Sequence, residues 1–190
     1  MKRYILTGAP GAGKTIILRQ LELDGFAVVE EAATDLIALA GANGVARHWE
    51  APGFIDGILA LQIDRQRRAD AWPVEVVVYD RSPVCTLALA RFLGRQPSAA
   101  LSEEIERIGR GQTYENAVFF ADGLGFITPT EARRITPNDA LRFEDIHAET
   151  YRELGYDLIR VPRASAAARA AVVRQAIDRG CRRLGPNDSR

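Results

Sequence analysis

Residues 8–15 read GAPGAGKT, and this stretch decides the fold because it fits the spacing G-x-x-x-x-G-K-[ST]. It follows a short β-rich run at residues 3–7 and precedes a segment with helical apolar spacing at residues 13–23. A glycine turn between a strand and a helix lets backbone N–H groups converge on phosphate oxygens at the positive end of the helix dipole. The sequence therefore predicts a nucleotide-binding phosphate loop, made of Gly8, Ala9, Pro10, Gly11, Ala12, Gly13, Lys14 and Thr15.

Lys14 is unusual for this chain, because only Lys2 and Lys14 of the 25 basic residues are lysines and all the others are arginines. An ammonium group is a compact point charge that suits the β- and γ-phosphates, whereas the wide planar guanidinium does not fill the same role. The hydroxyl of Thr15 is placed to ligate Mg²⁺. A chance glycine turn ahead of a helix is the alternative interpretation.

Strands and helices alternate along the rest of the chain, with strands predicted at 3–7, 26–29, 74–79, 117–120 and 157–161. Helices are predicted at 13–23, 32–40, 54–70, 83–93, 98–108, 137–154 and 165–184. Strands separated by helices form parallel sheets through crossovers. We therefore expect an α/β fold of three layers, with about five parallel strands and helices on both faces. A single domain over 1–184, with a lid at about 122–137 and a flexible tail over 185–190, is the predicted organisation.

Asp80 and Arg81 follow the most apolar predicted strand, so they should lie at the carboxyl edge of the sheet beside the phosphate loop. There Asp80 could hold Mg²⁺, directly or through water, and Arg81 could contact a phosphate or a carboxylate. The alternatives are a strand-end residue that caps the next helix and an ordinary surface arginine.

Glu30 and Glu31 are adjacent acids at the end of the second strand, and strand geometry lets only one of them point inward. A carboxylate there could take the proton of an acceptor hydroxyl during phosphoryl transfer, with Glu31 the stronger candidate. A solvated helix start, where acids favour the dipole, is the alternative.

Arg133 and Arg134 lie in the long connection between the fourth and fifth strands, within a segment bounded by glycine and proline. Such a segment over a nucleotide site is typical of a closing lid, and an arginine could stabilise the charge of the transferring phosphoryl group. A solvated helical turn is the alternative.

Several other residues have simpler interpretations. His147 lies within a helical stripe and is predicted to be a packing histidine, and Trp49 and Phe54 are either core residues or part of an acceptor pocket. A basic set on the last helix is predicted to form a solvated face, namely Arg169, Arg174, Arg179, Arg182 and Arg183.

Composition limits the functional classes. Formal net charge is zero, which argues against a large nucleic-acid or anionic-membrane footprint. Two cysteines without metal spacing suggest a reducing cytoplasm, and the start has too short an apolar run for a signal peptide. Either a monomer or a homodimer is compatible with the sequence.

With the phosphate loop, the acidic pair and YDRS in place, the chain resembles the compact AAA-type ATP-binding proteins, whose relatives include nicotinamide riboside kinases. It is also similar in architecture to deoxynucleoside and thymidylate kinases. The resemblance implies ATP and Mg²⁺ as cofactors and a small-molecule acceptor. It assigns the acceptor-side acid to Glu31 or Glu30, and base recognition to Gln62 or Gln66. The riboside-kinase pattern has an arginine three residues after its glutamate, where this chain has Thr34, so the acceptor is left open.

Two catalytic functions are compatible with these residues, and a third possibility, a non-catalytic nucleotide-binding module, is disfavoured by the intact Lys14, Thr15 and Asp80. The first is a kinase that transfers the γ-phosphoryl group of ATP to a hydroxyl of a small or nucleoside-like molecule. The second is an ATP-hydrolysing switch, which is disfavoured because Arg81 stands where motor ATPases place a glutamate that polarises water. A guanine-reading Asn-Lys-x-Asp element is excluded, since neither lysine lies in such a sequence.

Overall fold

The computed structural model describes residues 1–45, 48–124 and 136–182. Within these ranges the strands are β1 (Lys2–Thr7), β2 (Ala27–Val29), β3 (Val76–Asp80), β4 (Ala117–Ala121) and β5 (Asp157–Val161). The helices are α1 (Lys14–Leu23), α2 (Ala32–Ala42), α3 (Phe54–Ala69), α4 (Pro83–Phe92), α5 (Ala99–Arg110), α6 (Pro137–Glu153) and α7 (Ala166–Arg182). A single 3₁₀ turn, His48–Glu50, precedes α3 and was not predicted.

All five strands run parallel in the order β2-β3-β1-β4-β5. The order places β1, which carries the phosphate loop, at the centre of the sheet. Leu6 of β1 is paired with Asp80 of β3, so the loop and the Asp-Arg-Ser segment leave the sheet side by side. The predicted α/β fold with a five-stranded parallel sheet is therefore confirmed.

Helices cover both faces of the sheet because each strand is apolar on both sides. On one face α1 and α7 pack against the strands through buried side chains that include Leu18, Leu21, Val173 and Ile177. On the other face the core joins the strands to α4, α5 and α6, with Val84, Ile108 and Tyr151 buried among them. The loops that emerge between these two helical layers, at the carboxyl edge of the sheet, form the candidate site.

Observed boundaries lie within two residues of the predicted ones, and those of β5 are the same as predicted. The difference that matters most for the candidate site is at β3, which begins two residues later than predicted and includes Asp80 as its last residue. Most of the predicted lid, the tail and the last residues of the predicted C-terminal helix lie outside the described residues. Among the helices that the structure describes, none combines the length and the apolar character that a membrane crossing requires.

Candidate active site

The phosphate loop leaves the first turn of α1 open to an anion. Gly13 is the N-cap in the left-handed conformation, with φ 72°, and it has no side chain to accept the free N–H groups of the helix. No acidic residue lies in the first turn. The uncapped N–H groups and the positive end of the helix dipole therefore face the loop, which is the arrangement that binds phosphate.

Gly8 is required where the loop leaves β1. Its φ is +135°, and a Cβ added there would lie 2.4 Å from the carbonyl oxygen of Ala121 at the end of β4. A side chain would therefore force the loop away from the sheet. The glycine thus fixes the height of the loop above β1 and β4.

Lys14 is buried and spans the loop, since its Nζ donates to the carbonyl oxygens of Gly8 at 3.2 Å and Ala9 at 3.1 Å. Burial lowers the pKa of Lys14 to about 8, and repulsion from Arg81 adds to this effect, while Asp80 and Glu31 oppose it. The nearby negative charges therefore do not fully compensate the burial of the ammonium group, and the phosphates of a bound polyphosphate would provide further compensation.

This low pKa predicts that nucleotide binding weakens in alkaline solution. A polyphosphate binds the charged form of Lys14, so the charged fraction of the free protein limits the affinity as pH rises through about 8. Between pH 7 and pH 9 the charged fraction falls about tenfold, and we expect the association constant for ATP to fall by a similar factor. Isothermal titration calorimetry at the two pH values measures this. Lys14→Arg should bind ATP more weakly at both pH values, because the guanidinium fits the site less well, but it should show no further loss between them because arginine does not titrate in this range. A flat wild-type profile would contradict the prediction.

Glu31 is the acid that points inward, and Glu30 points outward. The Glu31 side chain is 20% exposed, against 47% for Glu30. Arg81 donates from Nε to Oε1 of Glu31 at 2.5 Å, and Thr34 donates from its hydroxyl to Oε2 at 2.8 Å. Glu30 pairs instead with Arg19 on the outer side of α1. The structure thus separates the two acids, which strand alternation alone could not assign.

The Glu31 carboxylate is ionised at neutral pH. Burial by itself would raise its pKa, but the positive charges of Arg81 and Lys14 and the hydrogen bonds from Thr34 and Arg81 lower the pKa well below the ordinary value. The two hydrogen bonds also fix the plane of the carboxylate. Glu31 is therefore a charged hydrogen-bond acceptor beside the phosphate loop, and its orientation is fixed by Thr34 and Arg81.

Arg81 is held in a strained backbone conformation, with φ 73° at a residue that is not glycine. This geometry costs about 1–2 kcal/mol for an L-residue. Its N–H donates to the carbonyl oxygen of Leu6 at 3.0 Å, which ties the turn to β1. The strained turn aims the guanidinium at Glu31, and the alternative of an ordinary surface arginine is wrong, because the Arg81 side chain is only 10% exposed.

His147 completes this cluster from α6. Arg81 Nη1 lies 3.3 Å from Nε2 of His147, and because a guanidinium has only donors, Nε2 accepts. The imidazole is fully buried, and burial together with the charges of Arg81 and Lys14 lowers its pKa well below the ordinary value. His147 was predicted to be a packing histidine, and it does pack between Phe143 and Tyr151. The sequence did not reveal its contact with Arg81.

Asp80 is buried as the last residue of β3, and Ser82, two residues later, occupies the N-cap position of α4 without a side-chain capping hydrogen bond. The interpretation of Asp80 as a helix cap is therefore wrong. Its charge raises the pKa of Lys14, which places it within electrostatic reach of the ammonium. Thr15, in the first turn of α1, is exposed. A hydroxyl and a carboxylate supply hard oxygen donors that fit Mg²⁺ chemistry.

A cavity of about 330 Å³ opens between the phosphate loop, α3, α4 and α6, and Pro10, Glu31 and Arg81 lie on its wall. Its apolar lining is formed by Ala33, Ile37, Trp49, Phe54, Ile58, Leu89, Phe92, Leu93 and Phe143. The polar lining is completed by Gln62, Thr86 and Asp139. Volume and lining are typical of a pocket for an organic small molecule.

The structure distinguishes the two candidate glutamines. Gln62 lines the cavity, where its Oε1 accepts from the Thr86 hydroxyl at 2.8 Å. Gln66 is buried one turn later on α3, where it donates to the Tyr114 hydroxyl at 2.8 Å and accepts from Arg107. Only Gln62 of the pair is therefore placed to contact a molecule in the cavity.

The position of Arg169 differs from the predicted one. This arginine was assigned to a solvated basic face of the last helix, but it is only 2% exposed and contacts the phosphate loop. Arg174 and Arg179 are exposed as predicted, whereas the side chains of Arg182 and Arg183 are outside the description. Arg133 and Arg134, the predicted lid arginines, lie outside the described residues.

Comparison with known families agrees with this geometry. The model of the AAA domain family matches residues 3–169, which is most of the chain. The chain belongs to the AAA domain family. The resemblance drawn from the phosphate loop, the acidic pair and YDRS is thereby confirmed, and the matched residues include the candidate site of this AAA domain protein. No curated protein matches the sequence.

Solved structures share the fold of this AAA domain at low sequence identity. Deoxyadenosine kinase from M. mycoides, with the products dCMP and a flexible dCDP bound, superposes with a TM-score of 0.61 at 12% identity, covering 93% of this chain and 99% of that chain. NadR protein in complex with NR superposes with a TM-score of 0.64 at 17% identity, covering all of this chain and 52% of that one. At these identities the likeness shows the architecture.

Proposed function

We propose that the protein is a cytoplasmic kinase that transfers the γ-phosphoryl group of ATP to a hydroxyl group of a small, nucleoside-like molecule. One observation carries the proposal: the fixed Glu31 carboxylate lies on the wall of an organic-sized cavity that also reaches the phosphate loop at Pro10. An ATPase that uses water as its acceptor has no need of a 330 Å³ apolar cavity beside its acid. The two similar solved structures bind nucleoside-related molecules, which supports the same class of acceptor.

The proposed transfer is in line. ATP binds with its phosphates on the loop and on Lys14, and the acceptor enters the cavity with its hydroxyl toward Glu31. The acceptor oxygen forms a bond to the γ-phosphorus as the bond to the β-phosphate oxygen breaks, and Glu31 takes the hydroxyl proton. The products are ADP and the phosphorylated acceptor. Catalysis is then positioning and charge stabilisation, with Arg81 neutralising developing charge and orienting Glu31.

Thr15 and Asp80 are proposed to hold Mg²⁺, directly or through water. When bound, the ion would neutralise charge on the β- and γ-phosphates. Arg133 and Arg134 remain proposed lid residues that would close over the same phosphates.

The proposed acceptor has an aromatic ring and carries no phosphate. Four aromatic side chains of the described residues line the cavity, namely Trp49, Phe54, Phe92 and Phe143. Gln62 and Thr86 offer hydrogen bonds on one wall. The residues of the described lining that carry a formal charge at neutral pH are Glu31, Arg81 and Asp139, and Arg81 is already paired with Glu31. An anionic acceptor would meet an excess of negative charge there, so a neutral or cationic nucleoside fits better than a nucleotide.

The test is ADP formation from ATP and Mg²⁺ with a panel of nucleosides, the matched nucleoside 5′-monophosphates, sugars and other hydroxylated metabolites. We expect at least one nucleoside to stimulate ADP formation, and its monophosphate to have a kcat/KM at least about tenfold lower. A like-charge contact costing ~1.4 kcal/mol is sufficient for that factor. Mass spectrometry of the product confirms transfer to the hydroxyl.

Slow ADP formation whose rate is unaffected by every acceptor would contradict the kinase proposal and support the ATP-hydrolysing switch. Stimulation by monophosphates in preference to nucleosides would contradict the proposed acceptor class while leaving a kinase in place.

A further inference from the structure

Arg169 of α7 lies directly behind the phosphate loop and has no place in the transfer described above. Its guanidinium donates to three backbone carbonyls from three different segments: Ala12 of the loop at 2.7 Å, Asp122 after β4 at 3.1 Å and Val161 of β5 at 3.4 Å. Burying a cation is costly unless it is matched by hydrogen bonds. Here the acceptors are the carbonyl groups of the backbone, and among the described residues no carboxylate accepts a hydrogen bond from Arg169. The positive charge therefore interacts directly with the backbone of the phosphate loop at Ala12.

The contact with Ala12 determines the direction of the next N–H group. The peptide bonds of the described residues are trans, and in a planar trans peptide the C=O and N–H groups point in opposite directions. Because the Ala12 carbonyl points at Arg169, the N–H of Gly13 points away from α7. The residue that follows is Lys14, whose ammonium crosses the loop.

Gly13 would otherwise leave this peptide free to rotate, since glycine has no Cβ to restrict φ. Its φ of +72° disfavours any side chain, and a Cβ there would lie 3.1 Å from Nη1 of Arg169 and would crowd the guanidinium. A charged donor on the Ala12 carbonyl also polarises the peptide and strengthens its N–H as a donor. Arg169 therefore both orders the peptide and improves it for anion binding.

We propose that Arg169 is a positioning residue for nucleotide binding, which holds the Ala12–Gly13 peptide with its N–H directed at the phosphates. The inference rests on the proposed binding of ATP but not on the transfer step. It deepens that function by adding a residue from the far end of the chain to the phosphate loop.

The experiment measures the affinity of the full chain for ATP and for inorganic tripolyphosphate by isothermal titration calorimetry, without any acceptor. Tripolyphosphate reports on the loop alone, because it has no base or ribose. We expect Arg169→Met, which keeps the length and removes the donors, to weaken both ligands about tenfold or more. Arg169→Lys should recover part of the loss because it restores a charged donor.

Two control variants on the same helix separate positioning from packing. Arg174→Met removes an exposed arginine that pairs with Asp24, and it should leave both affinities unchanged. Val173→Ala loosens the buried face of α7 one turn away, and it should lower the unfolding temperature with little effect on affinity. All variants are compared at a temperature at which unfolding curves show them to be folded.

Two outcomes would overturn this inference alone. Equal losses in Val173→Ala and Arg169→Met would mean that α7 acts on the loop through packing alone, and unchanged affinity in Arg169→Met would mean that the contact is unimportant. Neither outcome affects the proposed function, which acceptor-dependent ADP formation by the wild type decides separately. Absence of ATP and tripolyphosphate binding to the wild type would overturn both.

Discussion

Replacing Glu31 with Gln is expected to reduce acceptor-dependent ADP formation by about 10²- to 10⁴-fold, the range typical of losing a positioned general base. The amide keeps the shape of the side chain but cannot take the proton of the acceptor hydroxyl. It also weakens the ion pair with Arg81, whose Nε now donates to the carboxylate at 2.5 Å. The measurement is kcat with whichever acceptor of the proposed panel stimulates ADP formation, together with the affinity for ATP, which should change by less than about threefold because the phosphate loop is untouched.

Glu30→Gln is the matched control, since it makes the same chemical change one residue earlier. Glu30 points outward to Arg19, and an exposed ion pair contributes little, so its loss should leave kcat within about twofold of wild type. If Glu31→Gln retains wild-type kcat, Glu31 has no role in the proposed transfer. If Glu30→Gln loses as much as Glu31→Gln, the outward orientation of Glu30 is not the one used in catalysis.

Gly8→Ala is expected to be the most damaging single change to the fold, with a loss of about 4 kcal/mol or more in the free energy of unfolding. The added Cβ would lie 2.4 Å from the Ala121 carbonyl oxygen. Neither position can shift easily, because Gly8 directly follows β1 and Ala121 is the last residue of β4. Relief requires β1 and β4 to separate or the loop to move. Nucleotide affinity should be lost with the loop geometry, and urea unfolding with ATP titration measures both effects.

Gly25→Ala is the control that distinguishes the steric clash at Gly8 from the strain of a positive φ. Gly25 also has a positive φ, of 94°, but a Cβ there would meet nothing within 4 Å. We expect a cost of about 1–2 kcal/mol from strain alone and unchanged ATP affinity. Equal destabilisation by the two variants would show that the close approach of Ala121 does not constrain the loop.

The buried position of Arg169 could have been predicted from the helical period. Val173 and Ile177 mark the core side of α7, and Arg169 is four residues before Val173, on the same stripe. Assigning all arginines of the helix to solvent ignored this spacing. The helical period could not predict the hydrogen-bond partner of Arg169, because the carbonyl group of Ala12 is 157 residues away in the sequence.

Other parts of the site depend on long-range packing in the same way. The contact of Glu31 with Thr34 is local, three residues apart at the start of α2, and the spacing alone could have suggested it. The contacts of Arg81 with Glu31 and with His147 join α2, β3 and α6. No periodicity in the sequence predicts which of the two acids reaches Arg81, or that a histidine of α6 does.

The sequence by itself determined the phosphate loop, the α/β class and the edge of the sheet at which polar residues gather. Glycine spacing, apolar runs and helical stripes are local properties of the chain, and parallel strands must bring their carboxyl ends to one edge. Only the tertiary structure decided between Glu30 and Glu31, chose Gln62 over Gln66, formed the aromatic cavity and placed Arg169 behind the loop. Each of these depends on the distance between segments remote in sequence, which is set by how helices pack on the sheet and not by any residue's own preference.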